Sequence, residues 1–202
     1  STATAGAFGA TIAASKLLEL DERTTSFAVG LVSSMASGVR AQFGTMAKPL
    51  HAGMAAANGV EAALLAQAGL VSNPDALEAE HGFADTHMVQ NLNTNIALNH
   101  LGEYWMFKEV LHKYHACCHG LHAALEALIK VREQNNLHAE NIKNILISVA
   151  PRYLKICNIM APKTGLEAKF SFRLSAAMVL ARRDTAVLLS LIHISEPTRP
   201  SI

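Results

Sequence analysis

The sequence predicts a mainly α fold, with a helical first part over residues 1–104 and a smaller α+β part over 105–188. Three observations carry this. Half of the 202 residues are hydrophobic, with runs of alanine rather than bulky side chains in the first hundred, and alanine favours helix. Asp, Pro and Gly punctuate that half where helices start and stop. The β-branched run IKNILISV, residues 142–149, partly alternates as a strand does.

Residues 4–18 (TAGAFGATIAASKLL) read as a buried helix whose small side chains let neighbours approach closely. Asp21 can cap a second helix reaching about Ala36, because its carboxylate accepts from orphan N–H groups. A loop bracketed by Gly38 and Gly44 follows. Pro49 is placed as the first residue of a third helix to about Ala68, with Gly69 just past its end; this is the usual asymmetry of proline and glycine at helix ends. Asn73-Pro74 opens an expected fourth helix ending near Gly82.

Beyond residue 84 the texture changes. Tyr104–Tyr114 carries most of the bulky aromatics of this region, and a strand is expected within it, as it is over 142–149. Residues 119–134 and about 167–183 read as helices. The end, LSLIHISEPTRP from Leu189, shares no pattern with what precedes it. It resembles the translation of a sequencing-library adapter, so 189–202 is expected to be a non-native tail. The chain opens at Ser1 inside a helix, so it is expected to continue upstream.

Composition excludes several classes. A net charge of +1 with 16% charged residues gives no basic surplus for nucleic acid and no polybasic cluster for a membrane surface. Mean hydropathy is slightly positive, but charges interrupt every apolar run before the ~20 residues that span a bilayer. Three cysteines, two adjacent, make a poor disulfide framework and fit a reducing, cytoplasmic setting. No Gly-rich phosphate loop points to a nucleotide cofactor.

Three segments can carry chemistry. The first is GTMAKPLHAG, with Lys48 and His51. A residue before proline is pushed out of the α region, so Lys48 is expected to be extended at the mouth of the third helix. Orphan N–H groups and the positive helix end favour a carboxylate there and disfavour protonated lysine. That combination suits an anion site and a general base. The plainer reading is a solvated loop lysine.

The second segment is HKYHACCHGLH, which holds four of the ten histidines together with Lys113, Cys117 and Cys118. One reading is a zinc site, since His and Cys three and four apart can share a helix face. The spacing is unspecific, and adjacent cysteines cannot both face one ion. The other reading is an active-site segment in which Lys113 clamps an anion while Cys118 or His122 lies near substrate. The third segment, TGLEAKFSFRLSAA, puts Lys169 and Arg173 one turn apart on an expected helix, most simply a cationic stripe.

In this order, the runs STATAGAFGA, FGTMAKPLHAGMAAANGVEAALLA, LHKYHACCHGLHAALEAL and TGLEAKFS resemble the MmgE/PrpD family. That family includes 2-methylcitrate dehydratase, cis-aconitate decarboxylase and an iminodisuccinate epimerase. The resemblance implies a large all-helical domain, of which 1–104 would be part, followed by a smaller α+β domain. It implies a homodimer with its active site between the two domains. It also implies a lyase that needs no cofactor and acts on a small polycarboxylate, preferentially a hydro-lyase of the 2-methylcitrate dehydratase type. Lys48 matches the family's active-site lysine and Lys113 a second basic residue. His51, Cys118 and His122 become candidate substrate contacts. Cys118 stands where the decarboxylase pattern has a histidine, which weighs against decarboxylation of cis-aconitate. A family histidine is expected just before Ser1 and an Asp/Thr/His cluster further upstream, so the 202 residues alone are expected to be inactive. The reading from a different class is a non-enzymatic helical module that binds metal through its histidines.

Overall fold

The computed structural model describes residues 2–87 and 98–186. It is mainly α, and its chain contacts divide it into two units, residues 1–41 with 47–108 and residues 42–46 with 109–202. The expected adapter-derived tail, 189–202, lies outside the described residues.

The first unit rests on three helices, α1 (Ala5–Leu17), α2 (Glu22–Met35) and α3 (Ala47–Gln67). α1 buries Ala7, Thr11, Ala14 and Ser15, and α3 buries Ala55, Gly59, Ala62, Ala63 and Ala66. Both sets recur at three- and four-residue steps, so each forms one helical face. Those faces are almost without bulk, and the two backbones come close. A Cβ at Gly59 would lie 2.5 Å from the Ala10 Cβ and 2.7 Å from the Thr11 nitrogen. Asp21 caps α2 by accepting from the Thr24 N–H at 2.7 Å. α3 ends as its glycine demands. Gly69 takes φ +95°, and the Gly69 and Leu70 N–H groups return to the Ala66 and Leu65 carbonyls, a Schellman close.

The fourth expected helix does not form. Residues 74–81 are turns, and the short α4 (Phe83–Thr86) follows instead. The Asn73 side chain accepts from the Asp75 N–H, and the Phe83 and Ala84 N–H groups reach back to the Ala76 and Leu77 carbonyls. Asn73 therefore closes a turn on itself rather than starting a helix. The edge-to-face pair Phe8–Phe83, 5.0 Å between ring centroids, ties this stretch to α1.

The second unit is built on α5 (His119–Gln134) and α8 (Phe172–Leu180), with the short α6 (Pro151–Leu154) and α7 (Gly165–Ala168) between them. Leu121 and Leu125 of α5 pack with Cys117, Cys157, Phe170, Phe172 and Val179. Phe43 stacks on Phe170 at 5.6 Å. The Ser171 hydroxyl caps α8 by accepting from the Leu174 N–H. At the other end of α8, Arg132 donates to the Val179 carbonyl, a cation at the negative helix end.

The expected strands are not found among the described residues. Residues 104–114 contain only a 3-10 turn, Met106–Glu109. Residues 143–149 are irregular, and none of their backbone groups is hydrogen-bonded among the described residues. The alternation is real in one respect: Ile147 and Val149 pack on the core while Leu146 is 92% exposed. What is missing is a neighbour, and a strand is defined by its pairing. The single pairing among the described residues is an antiparallel bridge between Asn158 and Ser171.

The α1–α3 contact gives a paired expectation. Gly59→Ala forces its methyl against backbone and should cost about 1–3 kcal/mol. Gly53 lies in the same helix with nothing within 4 Å of its absent Cβ, so Gly53→Ala should stabilise by about 0.5–1 kcal/mol. Thermal or urea melts followed by circular dichroism read both. Equal shifts would show that α3 does not depend on close approach at Gly59.

Candidate functional site

The five candidate residues fall in two places. Lys48 and His51 belong to the first unit, and Lys113, Cys118 and His122 to the second.

Lys48 is the second residue of α3, which corrects the extended position expected for it. Pro49 is then third. The first N–H groups of a helix have no carbonyl to reach, so a proline in the first turn sacrifices no bond. The helix can therefore begin two residues before it. Lys48 and His51 are both half-buried and three apart, so they share a face of the first turn. The positive end of a 21-residue helix lies beneath them. Gly38, at φ +158°, makes room beside His51: a Cβ there would sit 3.5 Å from the imidazole.

In the second unit, Cys118 is the N-cap residue of α5, with extended backbone. Its N–H donates to the Lys169 carbonyl at 2.9 Å, and its side chain packs against the core cluster that includes Cys157. His122 lies one turn into α5. Its ring stacks on His119 at 5.2 Å and meets His115 edge-on at 5.0 Å. Its Nε2 is buried with no hydrogen-bond partner among the described residues. Burial, then the positive neighbours His115, His119 and Lys113, push the His122 pKa down, against a hydrogen bond with Cys117 that raises it. His122 is thus held neutral at pH 7, and with its other ring nitrogen turned to Cys117 the open Nε2 is left as an acceptor. Lys113 is exposed and close enough for its charge to bear on His122 and Cys117. Cys117 is buried, which pushes its thiol up to about 11. It is packing rather than a nucleophile.

The residue that organises this cluster is His115, which the sequence offers only as one histidine among several. It is 6% exposed. Its Nδ1 lies 2.7 Å from the Thr185 hydroxyl and its Nε2 2.8 Å from a Glu126 carboxylate oxygen. Thr185 is seventy positions away, and no local pattern links the two. Glu126 lies eleven residues on, at a helical position unremarkable until α5 is built.

Lys169 and Arg173 do not share a helix. Lys169 follows α7, Arg173 belongs to α8, and Ser171 breaks the chain between them to cap α8. Among the described residues no group of three His, Cys, Asp or Glu side chains is placed to hold a metal ion. No helix of the described residues is long and apolar enough to cross a membrane. Two grooves, of about 460 and 720 Å3, run along the sides of residues 142–149. None of the five candidate residues lines either of them.

The depressed His122 pKa has a consequence for stability. Below about pH 6.5 the unfolded imidazole takes up a proton that the folded one resists. This component of stability is complete above that pH and is lost as pH falls through the depressed folded value. His122→Gln should flatten the fall of the urea midpoint below pH 6.5. A slope identical to that of the parent chain would assign the loss to other groups.

Comparison with known proteins follows the same division of the chain. Residues 1–95 match the model of the MmgE/PrpD N-terminal domain and residues 115–189 that of the MmgE/PrpD C-terminal domain. The human cis-aconitate decarboxylase is 28% identical over 98% of this chain and 41% of its own length. The cis-aconitate decarboxylase-like protein oryM of Aspergillus oryzae is 31% identical over 72% of this chain and 33% of its own. A cis-aconitate decarboxylase of Aspergillus terreus is 27% identical over 87% of this chain and 38% of its own. The chain thus spans about two fifths or less of the length of these relatives.

Proposed function

The chain belongs to the MmgE/PrpD family, and on that premise we propose that the full-length protein is a cofactor-free lyase acting on a small polycarboxylate. The observation that carries this reading is the pairing of Lys48 and His51 on the first turn of α3. A cation, an imidazole and a positive helix end meet there, which suits a substrate with several carboxylates. Taking a proton α to a carboxylate builds negative charge, and preplaced cations and dipoles stabilise it. In this reading Lys48 acts at the proton and Lys113 holds a carboxylate. His51, Cys118 and His122 contact substrate, with His122 supplying a neutral imidazole. On this reading the whole enzyme would be a cytoplasmic homodimer. The free thiols of Cys117, Cys118 and Cys157 suit a reducing compartment.

The first reading of the reaction is dehydration of a hydroxy-tricarboxylate of the 2-methylcitrate kind. The base takes the proton, and the hydroxyl leaves as water. Cys118 favours it, standing where the decarboxylase pattern has a histidine. Decarboxylation is the second reading, favoured by the names of the relatives. Full-length protein incubated with 2-methylcitrate and with cis-aconitate, followed by NMR, separates them. An alkene from the first supports dehydration, CO2 from the second supports decarboxylation, and neither sinks the lyase. Solvent deuterium entering substrate without net conversion would point to an epimerase.

Lys48→Ala in the full-length protein should lower turnover by about 10²-fold or more with little change in the melting temperature. Near-parental turnover would remove Lys48 from the mechanism. Lys113→Ala should chiefly raise KM if it holds a carboxylate.

A further inference from the structure

Cys118 and Cys157 meet although they are thirty-nine positions apart. One short stretch of chain, residues 169–172, fixes both backbones. Its Lys169 carbonyl accepts from the Cys118 N–H, and its Phe172 N–H donates to the Cys157 carbonyl. Cys118 packs against the core cluster that holds Cys157, near enough for its thiol to act on that of Cys157. Gly120 keeps the approach open, since a Cβ there would lie 3.2 Å from the Cys157 sulfur and 2.7 Å from the Tyr153 ring. The two sulfurs differ in character. Cys118 is half-buried at the N-cap position of the 16-residue α5 and is open to a reagent from solvent. Cys157 is fully buried, and the neighbouring Cys118 side chain and burial push its pKa up, so it keeps its proton. Cys117 is beside Cys118 but buried in the core.

We propose that Cys118 and Cys157, anchored by the same stretch of chain, are a reversible oxidation site, in which a peroxide converts the adjacent thiols into a disulfide. The Cys118 thiolate attacks one peroxide oxygen; the S–O bond forms, the O–O bond breaks, and hydroxide leaves and is protonated to water. The Cys157 sulfur then attacks the Cys118 sulfenic acid. The S–S bond forms, the S–O bond breaks, and the departing oxygen leaves as a second water with the Cys157 proton. Two thiols and one hydrogen peroxide thus become one disulfide and two waters, and an added dithiol reverses it. The pair includes Cys118, a substrate contact in the lyase reading, so on that reading oxidation also switches turnover off.

The test treats full-length protein with hydrogen peroxide, alkylates remaining thiols and maps peptides by mass spectrometry. The expected product is a Cys118–Cys157 cross-linked peptide that dithiothreitol removes. Cys117→Ser should keep the cross-link. Cys157→Ser should abolish it and leave a dimedone-reactive sulfenic acid at Cys118. Recovery of Cys118 and Cys157 both alkylated after peroxide, or Cys118 joined to a different cysteine, overturns the proposal even if the variants fail to fold. Turnover lost on oxidation and restored by dithiothreitol supports the switch. A cross-link in a protein that turns over none of the acids supports the thiol pair while sinking the lyase reading.

Discussion

The near-contact of two helix backbones at Gly59 sets the terms for the first unit. Ala10 and Thr11 of α1 occupy the space a side chain at position 59 would need. Dispersion forces fall off steeply with separation, so small side chains gain by letting whole backbones touch. The stripe Ala7, Thr11, Ala14 on one helix and Ala55, Gly59, Ala62, Ala66 on the other is one continuous seam. It holds α3, whose N-terminal end carries Lys48 and His51, against α1. The Thr11 hydroxyl is answered within its own helix by the Ala7 carbonyl, so the seam carries no unmet polar group there.

The second unit has a different economy, because beside α5 its described helices have nine residues or fewer and a strip of irregular chain joins them. Residues 169–172 receive or give hydrogen bonds to Cys118, Cys157 and Ile159 and cap α8 through Ser171. The histidine cluster is anchored from behind. His115 is the buried member, held by Thr185 and Glu126, and it presents its ring edge to His122. Burial, and after it the charges of His115, His119 and Lys113, push the His122 pKa down.

Local chemistry was legible in the sequence, and long-range pairing was not. The Asp21 cap, the Gly69 close and the span of α5 follow from side chains acting on their immediate backbone, and they stand where the residues place them. Lys48 was misplaced by two residues because the rule for residues before proline is a preference, and the first turn of α3 outweighs it. The strand pattern at 142–149 reported the face the residues turn to the core, not a partner, which no local pattern encodes. In the candidate site, the basic residues were legible from the motifs. The role of His115 was hidden because its partner Thr185 arrives only through the fold.

Residues 143–149 carry amide protons and carbonyls that no other described backbone group engages. Their protection from solvent therefore rests on Ile147 and Val149 alone. Two side chains packed on a core hold a segment in place without shielding its peptide bonds. Its amides are accordingly the ones to exchange with deuterated water soonest among those next to the second core. The bond after an exposed Leu146 is accordingly open to a protease that needs an extended backbone. The same stretch that completes one hydrophobic face is the point from which the unit would be taken apart.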